Sequence, residues 1–335
     1  MGGIILWDMP APKIFVTRLI PDLGLLALKE HFQPDVWPHD LPPSREQLIE
    51  RARGVDGLLC MLTEKIDGEL LDVIGPQLKV ISNMAVGVDN IDVAAATAHG
   101  IPVGNTPGVL TDATADQAFA LMLAAARRIP ESERFLRAGK WVTWHPSLLL
   151  GTDITGSTLG IVGFGRIGQA VAKRAQGFDM RVLYYGPTAR PVHGAQSVDL
   201  DTLLRESDFV SIHVPLKQET RHLVNEQFLA RMKQNAVLVN TARGGVLDQA
   251  ALHNALKRRQ IFAAALDVTD PEPLPMDSTL LELENCIIVP HLGSATRKTR
   301  DKMALLAARN LVAGLKGERL PHCVNPQVYD MEKHA

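Results

Sequence analysis

Short apolar runs rich in Val, Ile and Leu alternate with stretches whose apolar positions recur every three or four residues, and this continues along nearly the whole chain. Early in the sequence, residues 13–17, 55–62 and 78–84 predict strands, with helices over 22–32, from Ser44 onward and near Leu70. Such alternation predicts βαβ units on a parallel sheet. Ser44-Arg45-Glu46-Gln47 before Leu48-Ile49 has the pattern of a capping box, in which the serine and the glutamine satisfy each other's backbone N–H groups.

Over 111–128 the pattern changes. Ala115, Ala118, Phe119, Met122, Leu123 and Ala126 fall at i, i+3, i+4, i+7, i+8 and i+11, one apolar stripe along a helix. Thr111 is placed to cap it, Asp112 and Asp116 lie near its positive end, and its length suits a connector between domains. After a loop over 141–157 a second series begins, with strands predicted at 158–163, 180–185, 209–214, 236–240, 263–268 and 287–289. Six strands with intervening helices suffice for a doubly wound nucleotide fold. A last helix over 297–316 follows and is placed to return to the first domain.

Composition narrows the partners. A chain of 335 residues, 46% hydrophobic, exceeds the ~250–300 residues at which single cores stop growing, so two domains are expected. A net charge of −2 with acids and bases interspersed leaves no basic field for a nucleic-acid backbone. Cys60, Cys286 and Cys323 are odd in number and widely spaced, which points away from a disulfide framework or zinc site and toward a reducing cytosol. Ile4-Ile5-Leu6 is too short for a secretory segment and no run approaches the ~20 residues of a membrane span, so a cytoplasmic protein without membrane partners is expected.

The strand ends of the second series carry the candidate chemistry. The first delivers Gly163-Phe164-Gly165-Arg166-Ile167-Gly168, in which Gly163 permits a tight turn, Gly165 lets backbone approach a pyrophosphate and Gly168 allows close helix packing. The helix it opens offers unpaired N–H groups to phosphates. NAD enzymes place an acid about 20 residues further on, to bind the ribose 2′-OH. Here the segment reads Tyr184-Tyr185-Gly186-Pro187-Thr188-Ala189-Arg190, and Thr188 and Arg190 can instead hold a 2′-phosphate, so NADPH is expected over NADH. Arg243, in Asn240-Thr241-Ala242-Arg243-Gly244-Gly245, can grip a carboxylate with two donors and steady charge on a carbonyl oxygen under hydride attack. His291, after Ile287-Ile288-Val289-Pro290, is a natural proton donor for a carbonyl becoming an alcohol, and Glu272 can fix its tautomer and favour the imidazolium. In a parallel α/β sheet these strand ends can converge on one crevice.

Asn105-Thr106-Pro107-Gly108-Val109-Leu110-Thr111-Asp112, Trp141-Val142-Thr143-Trp144, Leu266-Asp267-Val268-Thr269 with Glu272-Pro273-Leu274-Pro275, and Pro290-His291-Leu292-Gly293-Ser294-Ala295-Thr296 together resemble the D-isomer-specific 2-hydroxyacid dehydrogenases. The resemblance is closest to the glyoxylate/hydroxypyruvate reductases and covers residues 13–324. It implies a Rossmann nucleotide-binding domain, residues 106–296, inserted into a flavodoxin-like substrate domain made of 1–105 and 297–335, the two closing to exclude water. It assigns catalysis to Arg243, Glu272 and His291, and the substrate carboxylate to backbone N–H groups of Val86 and Gly87. Asp267 matches a residue bonded to the nicotinamide carboxamide, with Pro215, Thr241 and Gly293 also beside the cofactor. Leu62 and Trp141 would help shape a small apolar pocket, and Trp144 would reach the partner's active site in a homodimer formed through the nucleotide domain. The implied activity is NADPH-dependent reduction of glyoxylate and hydroxypyruvate. A broader 2-ketoacid reductase and a nucleotide-sensing corepressor are the alternatives, while formate dehydrogenases carry Gln where Glu272 stands.

Overall fold

A computed structural model describes residues 11–186 and 194–331, and the chain divides into two compact units, Met1–Leu110 with Thr296–Ala335 and Thr111–Ala295. Residues 106–110 fall in the first unit, where the Thr106 N–H donates to Ala85 O at 2.9 Å.

In the first unit five strands, β1 (Ile14–Val16), β2 (Asp35–Val36), β3 (Gly57–Cys60), β4 (Val80–Asn83) and β5 (Val103–Gly104), form a parallel sheet in the order β2-β1-β3-β4-β5. This is the flavodoxin-like order. Helices α1 (Asp22–Lys29), α2 (Arg45–Ala52), α3 (Gly68–Ile74) and α4 (Val93–Ala98) connect the strands. Both halves of the Ser44 capping box are present at the start of α2. Phe15, Leu58 and Ile81 are fully buried between the layers, each contributing about 1.5–3 kcal/mol over an exposed side chain.

The second unit opens with α5 (Thr111–Ala126), of which Thr111 is the first helical residue rather than its cap. Ala115, Ala118, Phe119, Met122 and Ala126 are buried as the stripe predicts, while Leu123 is half-buried and Leu121 and Ala125 widen the buried face. The helix therefore belongs to this unit's core rather than serving as a bare connector. It stops before Arg128, which turns left-handed (φ 53°) and pairs its guanidinium with both Glu131 oxygens, at 2.8 and 2.6 Å. Pro130, which lacks an N–H, then starts α6 (Ile129–Arg137).

A seven-stranded parallel sheet follows: β6 (Thr158–Val162), β7 (Arg181–Tyr185), β8 (Ala195–Ser197), β9 (Phe209–Ile212), β10 (Val237–Asn240), β11 (Ala263–Leu266) and β12 (Cys286–Ile288), in the order β12-β11-β10-β9-β6-β7-β8. This is the dinucleotide-fold order with one strand added beyond the sixth. The sequence predicts one strand fewer because β8 is a three-residue edge strand, Ala-Gln-Ser, with no apolar run. Helices α5 and α7 (Arg166–Ala175) cover one face, and α8 (Leu200–Glu206), α9 (Glu226–Ala230) and α10 (Gln249–Lys257) the other. Both faces being covered, β9, β10 and β11 are buried throughout, and all their residues but Ser211 and Asn240 are apolar.

The chain returns to the first unit through α11 (Arg297–Leu315), which lies against α1, β3 and β4 and accepts a hydrogen bond from Ser82 Oγ to Ala307 O at 2.8 Å. The short α12 (Val328–Met331) ends the described chain. Among the described residues no helix is long and apolar enough to cross a membrane, and no three His, Cys, Asp or Glu side chains gather as a metal site.

Candidate active site

In the second unit the chain order reverses between β6 and β9, the position at which open α/β sheets bind ligands outside the strand ends. The turn after β6 shows why glycine is needed there. Gly163 adopts φ 93°, and a Cβ on it would lie 2.6 Å from the His213 backbone. A Cβ on Gly168 would lie 2.4 Å from Gly163 O, whereas Gly165 faces open space and begins α7 without a side-chain cap. A first turn left open in this way suits a pyrophosphate, whose charge the helix dipole favours. Just past β10, Thr241 adds a buried hydroxyl that has no hydrogen-bond partner among the described residues. An open glycine cradle and an orphaned hydroxyl fit a dinucleotide bound at these strand ends.

Past β11 and β12 the catalytic candidates meet. His291 Nδ1 lies 3.0 Å from Glu272 Oε2, and Glu272 Oε1 accepts the Thr269 N–H at 3.0 Å. Burial pushes the Glu272 carboxyl up, but the hydrogen bond and charge of His291, the Thr269 N–H and the Arg243 guanidinium together hold it below the usual range. His291 stands in the left-handed region (φ 53°), held by its N–H to Asp267 O at 2.9 Å. The buried Asp267 carboxylate accepts the next two N–H groups, from Leu292 at 2.6 Å and Gly293 at 2.8 Å. Burial raises the Asp267 carboxyl, and those two N–H groups only partly offset it. With Nδ1 committed to Glu272, Nε2 is the ring position that can carry a transferable proton.

Arg243 follows β10 on a turn shaped by Asn240, a fully buried side chain that the sequence analysis did not single out. Its Nδ2 donates to Arg243 O at 3.0 Å and its Oδ1 accepts the Ala242 N–H at 3.0 Å. Arg243 itself is half-buried and donates through one NH to Ala242 O at 2.8 Å. A Cβ on Gly244 would fall 1.9 Å from Thr269 O, so the Arg243 turn presses directly on the segment leading to Glu272. Asparagine at the end of an otherwise apolar strand was the available signal for Asn240.

In the first unit, the turn Ala85-Val86-Gly87 follows β4. Asn83 Nδ2 donates to Gly87 O at 2.9 Å and to Asn90 Oδ1 at 3.1 Å, and Asn105 Nδ2 donates to Val86 O at 2.8 Å. Asn90 Nδ2 reaches Met61 O at 2.9 Å and Glu64 O at 3.0 Å, which ties this turn to the segment carrying Leu62.

Other positions named from the sequence are more scattered. Arg166 and Ile167 form the first turn of α7, and Gly293 is buried beside Asp267. Pro215 is exposed after β9, its carbonyl accepting from Thr220 Oγ1 at 2.7 Å. Trp144 is 76% exposed in the loop after α6, and no described hydrogen bond or ring contact joins it to the His291 cluster. Thr188 and Arg190 lie outside the described residues.

Comparison with known proteins agrees with this architecture. Residues 119–293 match the family model of the D-isomer specific 2-hydroxyacid dehydrogenase NAD-binding domain. The chain is 52% identical over 322 residues to a glyoxylate reductase of Korarchaeum cryptofilum, covering 95% of this chain and 97% of that protein. It is 51% identical over 330 residues to a glyoxylate reductase of Thermococcus kodakarensis, covering 96% and 98%. A solved NADPH-dependent glyoxylate/hydroxypyruvate reductase from Sinorhizobium meliloti, in complex with NADP and malonate, superposes with a TM-score of 0.83 at 33% identity over 94% of this chain and 97% of that one. The ordered glycine turn, the two parallel sheets and 51–52% identity to the Korarchaeum and Thermococcus reductases over nearly the whole chain lead to one conclusion: the chain belongs to the D-isomer-specific 2-hydroxyacid dehydrogenases and is an NAD(P)-dependent enzyme of that family.

Proposed function

We propose that this enzyme reduces glyoxylate to glycolate and hydroxypyruvate to D-glycerate, with NADPH as the preferred cofactor. The observation that carries this is the 3.0 Å pair of His291 Nδ1 and Glu272 Oε2, with Arg243 close enough for its charge to act on Glu272. The relatives named glyoxylate reductase support the first substrate, and the Sinorhizobium reductase supports hydroxypyruvate and NADPH.

The bound nicotinamide would supply the hydride to the keto carbon. Gly163, Gly165, Arg166, Ile167 and Gly168 seat the pyrophosphate, Thr188 and Arg190 the 2′-phosphate, and Asp267 the carboxamide, with Pro215, Thr241 and Gly293 lining the same site. Arg243 holds the substrate carboxylate and stabilises charge growing on the keto oxygen. His291 gives its Nε2 proton to that oxygen while Glu272 stabilises the imidazolium beforehand. In the first unit, Val86 and Gly87 bind the carboxylate through backbone N–H groups, and Leu62 limits the size of the substrate chain. Ile129, Leu136, Trp141, Val142, Trp144 and Leu150, all exposed on the nucleotide unit, are apolar side chains that a homodimer interface would cover. Three unpaired cysteines suit the reducing cytoplasm.

Steady-state reduction of glyoxylate, hydroxypyruvate and pyruvate, each with NADPH and with NADH, tests this reading. Efficient turnover of the first two with NADPH is expected. Preference for pyruvate would overturn the substrate assignment, and preference for NADH, or an Arg190→Ala variant with unchanged KM for NADPH, would overturn the cofactor assignment.

A further inference from the structure

The three carbonyls of the Ala85-Val86-Gly87 turn after β4 are each held from inside their own unit. Ala85 O accepts the Thr106 N–H at 2.9 Å, Val86 O accepts from Asn105 Nδ2 at 2.8 Å, and Gly87 O accepts from Asn83 Nδ2 at 2.9 Å. In a trans peptide the C=O and the following N–H point in opposite directions. Pinning these three oxygens therefore aims the N–H groups of Val86, Gly87 and Val88 away from the asparagines, and among the described residues none of the three donates to a protein acceptor. Successive N–H groups aimed one way form a concavity that favours an anion.

We propose that Asn83 and Asn105 are positioning residues for substrate binding, orienting this row of N–H groups toward the carboxylate of a small 2-keto acid. The proposal rests on the reading that Val86 and Gly87 bind that carboxylate, and adds what sets their direction. Neither asparagine touches substrate; each acts through the peptide whose carbonyl it holds.

Both are themselves fixed. Asn105 O accepts from Asn310 Nδ2 at 2.9 Å, so α11, from the far end of the chain, holds Asn105 in place. Asn83 is fully buried and bonded to Asn90, whose amide continues to Met61 O and Glu64 O. Glu64, 3% exposed, anchors that segment by accepting from the Met61 N–H at 2.7 Å and Thr17 Oγ1 at 2.6 Å. Because a buried polar group left unpaired is costly, each bond in this chain constrains the next. Rigid donors bind an anion without a further ordering cost, which is where affinity is gained.

The test is Asn105→Asp, which keeps the side chain's shape but sets an acceptor oxygen against Val86 O. Asn105→Ala, which removes the donor without adding charge, carries the same expectation if the aspartate variant does not fold. KM for glyoxylate should rise about tenfold or more while kcat falls less than about threefold and KM for NADPH stays unchanged, the pattern of lost binding common to ground and transition states. A merely structural role would leave KM alone and lower kcat through a smaller active fraction, and that result, or an unchanged KM, would overturn the proposal. Amide resonances of the isotope-labelled wild-type holoenzyme, titrated with oxamate, separate the proposal from the reading beneath it. Downfield shifts at Val86, Gly87 and Val88 combined with an unchanged Asn105→Asp KM would refute the positioning role alone. Absence of those shifts in the wild type would refute carboxylate binding at the turn and the proposal with it.

Discussion

Replacing Glu272 by Gln keeps the volume and one acceptor oxygen beside His291 but removes the charge. The pair is separated by 3.0 Å with the two side chains 29% and 31% exposed. At ~4 Å between charge centres and an effective dielectric of ~20, the attraction is about 4 kcal/mol. Partial exposure and salt reduce this to about 1.5–3 kcal/mol, the range typical of hydrogen bonds to charged groups. At about 1.4 kcal/mol per tenfold in rate, losing it corresponds to about a 10–100-fold slower reaction. Glu272 orients the ring of His291 and places a negative charge beside the proton-donating group, so the variant should lose kcat/KM for glyoxylate by that factor. The variant should therefore turn over glyoxylate about 10–100-fold more slowly than the parent. The assay is NADPH oxidation followed across the pH range, with cofactor saturating. Activity within about threefold of the parent would refute the charge argument.

Two further outcomes follow from the geometry. Gly165→Ala should fold with unaltered thermal stability, because its Cβ meets nothing within 4 Å, yet lose cofactor affinity, whereas Gly168→Ala should unfold at lower temperature because its Cβ would press within 2.4 Å of Gly163 O; equal stability of the two variants would contradict the packing account. Burial pushes the His213 imidazole, which is hydrogen-bonded to Ser211 Oγ, down to about 4. Between that value and the ~6.5 of an unfolded histidine the unfolded chain binds more protons, so stability present above ~6.5 is lost as pH falls toward 4, by about 2–3 kcal/mol after partial exposure is discounted. Urea unfolding at several pH values should show this slope in the parent and a flatter one in His213→Gln, and parallel slopes would refute the assignment.

Asn240, Asn83, Asn90 and Asn105 mark where sequence reasoning stopped. Each sits at or after an apolar strand, where a polar residue reads as an ordinary strand end. Their importance lies in which carbonyl each amide reaches, and for Asn105 that includes support from Asn310, 205 residues away in sequence. His291 and Glu272 were recognisable separately by residue type, but the 3.0 Å between them depends on the folding of the segment that joins β11 to β12. The left-handed turn at Arg128 was missed because the apolar stripe of α5 runs up to it without interruption, and only Pro130 and the Glu131 pair signal the break.

By itself the sequence determined the two parallel α/β folds, the glycine turn and the chemical types of Arg243, Glu272 and His291. Hydrophobic period and backbone freedom are local properties, set by each residue and its near neighbours. Strand order, the widened buried face of α5, the edge strand β8 and the asparagine-held turn at Val86 and Gly87 were decided only in tertiary structure. Those depend on which distant backbone donors and acceptors come within hydrogen-bond reach, and a carbonyl has no preferred partner until the fold supplies one.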